Sequence, residues 1–305
     1  MKNFNYWYNE DINNKFRETS MDILNVNINQ MTRTPVTLKE ECMLAALEIH
    51  SKYPDIHIAL SGGWESQICL HSFIEAGIKP CIYILKFPRG LNKFDSDIAV
   101  EQCKKYNLIP RVISVDFEDV IQNHMFEIAT KYQTYSFVQM LHGYYVEQIK
   151  ENVLLVDKID LRRDANPSKE WSVVRNEDYN FWSDRFNTLN ENKIINNFFS
   201  HSSELIYSFL KSSTIQDVVN STTSGKISLN SLKHLIYHQG GFTDLFNDNA
   251  KKFIKTVSYE EIPGLQQKKS DLLEQHLKFK PRQTYISYNN IIRALENKGT
   301  TCQYI

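Results

Sequence analysis

No two of the five cysteines, Cys42, Cys69, Cys81, Cys103 and Cys302, stand in a CxxC pair, and their number is odd. That pattern argues against a metal site built from neighbouring thiolates and against a disulfide framework. Cys69 and Cys103 fall on apolar helix faces and Cys81 opens an apolar run, so all three are expected as small buried hydrophobes. Neither charge is in excess: 35 Lys and Arg stand against 36 Asp and Glu, a net charge of -1. Proteins that coat nucleic acid gain affinity by neutralising phosphates and carry a basic surplus, so no general nucleic-acid signature is present. No run approaches the roughly 18 apolar residues of a membrane span. The opening Met1-Lys2-Asn3-Phe4-Asn5-Tyr6-Trp7 has no signal-peptide core. A cytoplasmic protein with no membrane partner is expected. Internal repeats and low-complexity linkers are also missing.

What remains is globular in composition, 42% hydrophobic and 23% charged, and long enough at 305 residues for two domains or one with a large appendage. Residues 1–36 read as an N-terminal segment with a helix around 9–24. Thr37-Leu38-Lys39-Glu40 is a capping box, which starts a helix carrying Met43, Leu44 and Leu47 at helical spacing. Strand–helix alternation follows. Apolar runs at Ile56–Leu60, Cys81–Phe87, Arg111–Phe117 and Asn152–Val156 read as strands, separated by helices from about Glu65 to Ala76, after an N-cap at Asn92, and within 118–150. Four such strands imply right-handed crossovers and a parallel α/β sheet with helices on both faces. The α/β domain is expected over 37–175, with a hairpin near Glu170–Val174. A mainly helical region is expected over 176–305, where Ile194, Phe198, Phe199, Leu205, Ile206, Phe209, Leu210, Leu232, Leu235 and Ile236 recur at helical spacing.

Glycine is scarce at 10, and two adjoin in Ser61-Gly62-Gly63-Trp64-Glu65-Ser66, directly after the first sheet strand. A phosphate site needs main-chain N–H groups at the positive end of a helix, and it needs the chain close to the anion, where a Cβ obstructs. This segment meets both needs at the strand edge where open α/β sheets collect ligands. There is no GxxxxGK[ST], and no GxGxxG follows a strand.

The segment resembles the PP-loop, SGGxDS, of the ATP pyrophosphatase superfamily, which includes asparagine synthetase synthase domains, GMP and NAD synthetases and tRNA-thiolating enzymes. The resemblance covers about residues 40–160 and implies a Rossmann-like, HUP-like fold, with ATP and Mg²⁺ as cofactors. It implies that Ser61, Gly62, Gly63 and Ser66 hold the pyrophosphate portion of ATP. The family Asp, linked to Mg²⁺, maps onto Glu65, one methylene longer (~1.5 Å). Adenine is expected against the main chain of Leu60 and of Lys86-Phe87; core packing is the other reading of Phe87. In relatives the turn after the fourth strand reads G-x-x-x-D. Here Asp157, Lys158 and Asp160 occupy it; Asp157 joins Glu65 as an expected metal ligand, with Asp160 as the alternative, and Asp157, Lys158 and Arg162 are the expected catalytic residues, with Arg163 as a further cation. A surface salt-bridge cluster is the alternative there.

The resemblance implies an AMP- and pyrophosphate-forming ligase or amidotransferase-like enzyme acting on a small molecule, a nucleoside or tRNA. An ammonia- or sulfur-donor partner is a further expectation. Met1-Lys2 is not the N-terminal Cys of a class II glutaminase, and the cysteine pairs of thiolating enzymes are missing. Two alternatives stay open: a phosphoadenylylsulfate reductase-like enzyme using Cys302, and a non-catalytic nucleotide-binding protein with a degenerate loop. Arg89, Lys93 and the basic residues Lys278, Lys280 and Arg282 are weaker phosphate candidates. His234 and His238 can share a helix face with no third ligand near, and Gly240-Gly241 reads as a loop.

Overall fold

The computed structural model describes residues 8–10, 24–132, 134, 137–156, 158–163, 170–191, 193–195, 198–221, 229–245, 283–296 and 301–304. Strands β1 (Tyr8–Glu10) and β2 (Leu24–Ile28) precede helix α1 (Leu38–Lys52). The capping box forms as the sequence predicts: the Glu40 amide donates to Thr37 Oγ1 at 3.3 Å, and the Thr37 amide donates to the Glu40 carboxylate at 3.0 Å. Then come β3 (His57–Ala59), α2 (Trp64–Glu75), β4 (Cys81–Lys86), α3 (Lys93–Lys105) and β5 (Arg111–Ser114). A crossover through α4 (Phe117–Asp119), a π-helical turn, α5 (Met125–Tyr132) and α6 (Phe137–Val146) leads to β6 (Val153–Leu155).

Beyond β6 the chain forms β7 (Asp160–Arg162), β8 (Ser172–Asn176), α7 (Glu177–Leu189) and β9 (Ile194–Ile195). Helices α8 (Ser203–Leu210), α9 (Ser213–Asn220) and α10 (Leu229–Gln239) follow, then β10 (Gln283–Ser287), α11 (Tyr288–Glu296) and β11 (Thr301–Tyr304).

Five of these strands make one parallel sheet in the order β5-β4-β3-β6-β9. The chain winds outward from β3 to β5, then returns to lay β6 on the other side of β3. The order therefore reverses between β3 and β6, and in doubly wound sheets ligands collect at the carboxyl ends of the strands flanking that reversal. Residues alternate between the faces. Ile58, Ile82, Ile84 and Leu154 pack with α1, α2 and α3, while Tyr83, Val153 and Leu155 pack with α5, α6 and α7. Each large apolar side chain buried this way contributes roughly 1.5–3 kcal/mol. Among the described residues, the C-terminal helices share the sheet's core: Leu205, Ile206, Ile236, Tyr237, Ile291 and Leu295 join the first of these two clusters.

Several expectations change. The helix expected around 9–24 gives way to strand at both ends, and residues 11–23 lie outside the described residues. Leu44 and Leu47 are exposed; the buried face of α1 is Leu38, Cys42, Ala45, Ala46 and Ile49. Cys42, Cys69 and Cys103 are buried as hydrophobes, but Cys81 is exposed at the start of β4. The third strand stops at Ser114, because Phe117 already opens a helix. Ile194, read at helical spacing, is instead in the fifth parallel strand, so the sheet draws on chain beyond residue 176. The expected hairpin is present, with β8 antiparallel to both β7 and β10.

Candidate functional site

The turn from β3 into α2 spans residues 60–63 at the carboxyl end of the sheet's central strand. Leu60 continues the ladder, its amide donating to the Tyr83 carbonyl at 2.9 Å. Gly62 has φ +81°, a left-handed conformation that side chains disfavour, and a Cβ there lies 2.0 Å from the Asp95 carbonyl oxygen in the first turn of α3. Gly63 is the N-cap of α2, with φ -68° and ψ 163°, and no side chain caps this helix. The Gly63 amide has only a long contact, 3.4 Å, to Ser61 Oγ.

The amides of Ser61, Gly62, Glu65 and Ser66 donate to no acceptor among the described residues. A buried or half-buried donor without a protein partner costs stability unless a ligand or water accepts from it. Side chains hold the turn in place instead of quenching it. Ser66 Oγ donates to the Gly63 carbonyl at 2.9 Å, Ser61 Oγ donates to Ser66 Oγ at 3.1 Å, and buried Gln67 donates to the Gly62 carbonyl at 2.8 Å. Glycine, hydroxyls and a first helical turn thus leave four amides without a protein acceptor at the positive end of α2, where an anion is favoured.

Register brings the two turns named by the sequence side by side. Ala59 pairs with Leu155, so the turn after β6 emerges next to Ser61. Lys158 is exposed there, and Arg162 is exposed and donates to Asp160 Oδ2 at 2.9 and 2.7 Å. The salt-bridge reading thus holds for Arg162 and Asp160. Asp157 lies outside the described residues.

At the end of β4, the Phe87 amide donates to Asn92 Oδ1 at 2.8 Å, and Asn92 Nδ2 donates to the Leu85 carbonyl at 2.8 Å. Asn92 stands at the N-cap of α3 but spends its side chain on this staple rather than on the cap. The Phe87 amide, part of the main chain expected against adenine, is therefore occupied, and the Phe87 ring is buried in the second core cluster, which also holds Tyr83 and Val120. The Lys86 carbonyl accepts from the Val115 amide at 3.0 Å, and the Lys86 side chain is half-buried.

A cation at the glycine turn comes from far along the chain. Lys233 Nζ on α10 pairs with the Glu65 carboxylate, with side chains only 11% and 15% exposed. Helix α10 is fixed by its end: the Phe242 amide donates to the Tyr237 carbonyl and the Gly241 amide to the His238 carbonyl, with Gly241 at φ +103°, a Schellman cap. The Lys39 amide donates to the Gly240 carbonyl at 2.9 Å and docks that cap on α1. The two glycines expected as a plain loop are thus a helix stop that aims Lys233.

Sequence reading missed Lys233 and Gln67, and it gave Asn92 as an N-cap rather than as the staple on β4. Gln67 had a local signal, since it follows the turn on the same helix. Lys93 pairs with Asp97, one turn along its own helix. The main chain of Cys302 is in β11, paired with Val26. Lys278, Lys280 and Arg282 lie outside the described residues, as does the side chain of Arg89. Among the described residues, no group of three or more His, Cys, Asp or Glu is arranged to hold a metal ion, His234 and His238 included. No described helix is long and apolar enough to cross a membrane.

No protein-family profile matches the chain, and no curated protein sequence does. Among solved structures, NMN synthetase from Francisella tularensis aligns over 80% of this chain and 97% of its own, at 14% identity and a TM-score of 0.31. The NH3-dependent NAD synthetase from Campylobacter jejuni, in complex with the nitrate ion, aligns over 80% and 96%, at 14% identity and a TM-score of 0.27. These values are too low for any site residue of either enzyme to be carried over.

Proposed function

We propose that the protein binds ATP with its polyphosphate on the turn Ser61–Ser66 and uses it to activate a substrate oxygen by adenylation. The observation that carries this reading is the set of unpartnered amides at Ser61 and Gly62, beside the reversal of strand order. In this chemistry a substrate oxygen attacks the α-phosphorus, the α–β bridging bond breaks and pyrophosphate leaves. A second nucleophile then displaces AMP from the adenylate, which makes the enzyme ligase- or amidotransferase-like. The chain's share is positioning and charge neutralisation. Ser61, Gly62 and Ser66 orient the leaving pyrophosphate, and Lys158, exposed at the adjacent turn, meets charge on the α-phosphate. Arg162 joins only if it leaves Asp160.

Mg²⁺ is the usual companion of ATP, and the Glu65 carboxylate does not fit it as arranged. Lys233 already neutralises that carboxylate.

The Glu65–Lys233 pair and the occupied Phe87 amide favour one second reading, a nucleotide-binding protein without turnover. Calorimetric titration with ATP tests binding, and pyrophosphate release across amino acids, nucleosides and tRNA tests turnover. Binding with release in one acceptor class supports the enzyme. Binding without release in any class favours the second reading, and no binding at millimolar ATP defeats both.

A further inference from the structure

The ion pair at the mouth of the turn has a consequence for which ion neutralises the ligand. Glu65 is the second residue of α2, so its carboxylate shares the first helical turn with the amides that face the opening. A polyphosphate arriving there brings several negative charges next to this carboxylate, and like charges in a partly desolvated site repel strongly. A cation has to stand between them.

Lys233 already stands there. Its side chain is 11% exposed and lies at the positive end of a helix, a place that cations avoid without an anionic partner. An ammonium has three donors. One goes to Glu65 Oε1, and the others meet no acceptor among the described residues. A nearly buried ammonium with spare donors beside unpartnered amides is set up to take a second anion.

We infer that Lys233, and not a divalent metal on Glu65, is the cation that meets the polyphosphate at this turn, bridging the Glu65 carboxylate and a phosphate oxygen. The inference rests on the nucleotide reading above and adds to it the residue that makes the turn electrostatically competent. It also gives the C-terminal helices a role at the site, because α10 delivers Lys233 from 168 positions along the chain.

Calorimetric titration of the full chain with inorganic pyrophosphate, in EDTA and again with Mg²⁺, tests it. The wild type is expected to bind in EDTA. Lys233→Met is expected to weaken binding by about tenfold or more, the scale of one charge-assisted hydrogen bond, and Lys233→Arg to recover most of it. Glu65→Gln is expected to bind as tightly as the wild type or tighter, since it removes a like charge and frees the lysine. The metal account has the opposite sign: weaker binding by Glu65→Gln, wild-type affinity for Lys233→Met, and none in EDTA. That result overturns the inference.

Because Lys233→Met leaves the Glu65 carboxylate unpaired at a nearly buried site, which costs stability, Glu65→Gln/Lys233→Met is measured beside it. In that folded double variant, affinity equal to that of Glu65→Gln alone also overturns the inference. If the wild type binds neither pyrophosphate nor ATP in either buffer, the nucleotide reading falls and this falls with it. If the wild type binds, only the role of Lys233 is at stake.

Discussion

The Asp95 carbonyl oxygen lies 2.0 Å from where a Cβ on Gly62 would stand, so the first turn of α3 is packed directly on the glycine turn. The contact is with main chain, which cannot rotate away, and Gly62 also sits at φ +81°. Gly62→Ala is therefore expected to destabilise the fold by about 2–4 kcal/mol, through strain and displacement of α3. Urea denaturation reads this directly; an unchanged midpoint contradicts the packing described.

Gly63 is the contrasting position. Its backbone angles suit any residue, and an added Cβ meets nothing closer than Ser61 Oγ at 3.5 Å. Gly63→Ala is expected to keep stability within about 1 kcal/mol, the usual scale at an N-cap. The new methyl group points to the open side of the turn, so ATP affinity is expected to fall about tenfold or more. Melting and titration of the same sample separate the two effects.

Asn92 closes the end of β4 by accepting from the Phe87 amide and donating to the Leu85 carbonyl, both at 2.8 Å. Asn92→Leu removes both of these hydrogen bonds to main chain. A loss of about 1–3 kcal/mol is expected in chemical denaturation. Asn92→Asp keeps the acceptor and is expected to retain part of that stability.

The buried ring of His201 and Lys52 meet at Glu48. His201 Nε2 lies 2.8 Å from Glu48 Oε2, and this contact, ahead of Lys52, holds the Glu48 carboxyl down to about 2 from an ordinary 4.5. A folded-state value below the unfolded one means stability that is present above about pH 4.5 and lost as pH falls toward 2. Glu48 is partly exposed, so solvent screening reduces the contribution to about 1 kcal/mol. Denaturation curves between pH 6 and pH 3 are expected to converge for the wild type and Glu48→Gln as pH falls. Parallel curves contradict the pair.

Much of this was legible because the signals are local. The Thr37 capping box, the apolar run at Cys81 and the glycine pair after a strand each act through neighbours in the chain, and each is found in place. Ile194–Ile195 was not legible as a strand: two residues carry no periodicity, and only the empty edge of β6 makes them one. Leu44 and Leu47 misled for the converse reason, since helical spacing marks a face without saying which face is covered. The Glu65–Lys233 pair spans 168 positions and has no pattern in the sequence at all. The glycine turn could thus be read residue by residue, but the lysine paired with Glu65 came only from the packing of α10.

On the nucleotide proposal, the amides of Ser61 and Gly62 receive a phosphate where strand order reverses. A crystal structure of the full chain grown with ATP is the decisive measurement. Phosphate oxygens are expected within roughly 3 Å of both nitrogens. ATP seated elsewhere, with those two amides turned to solvent, contradicts it.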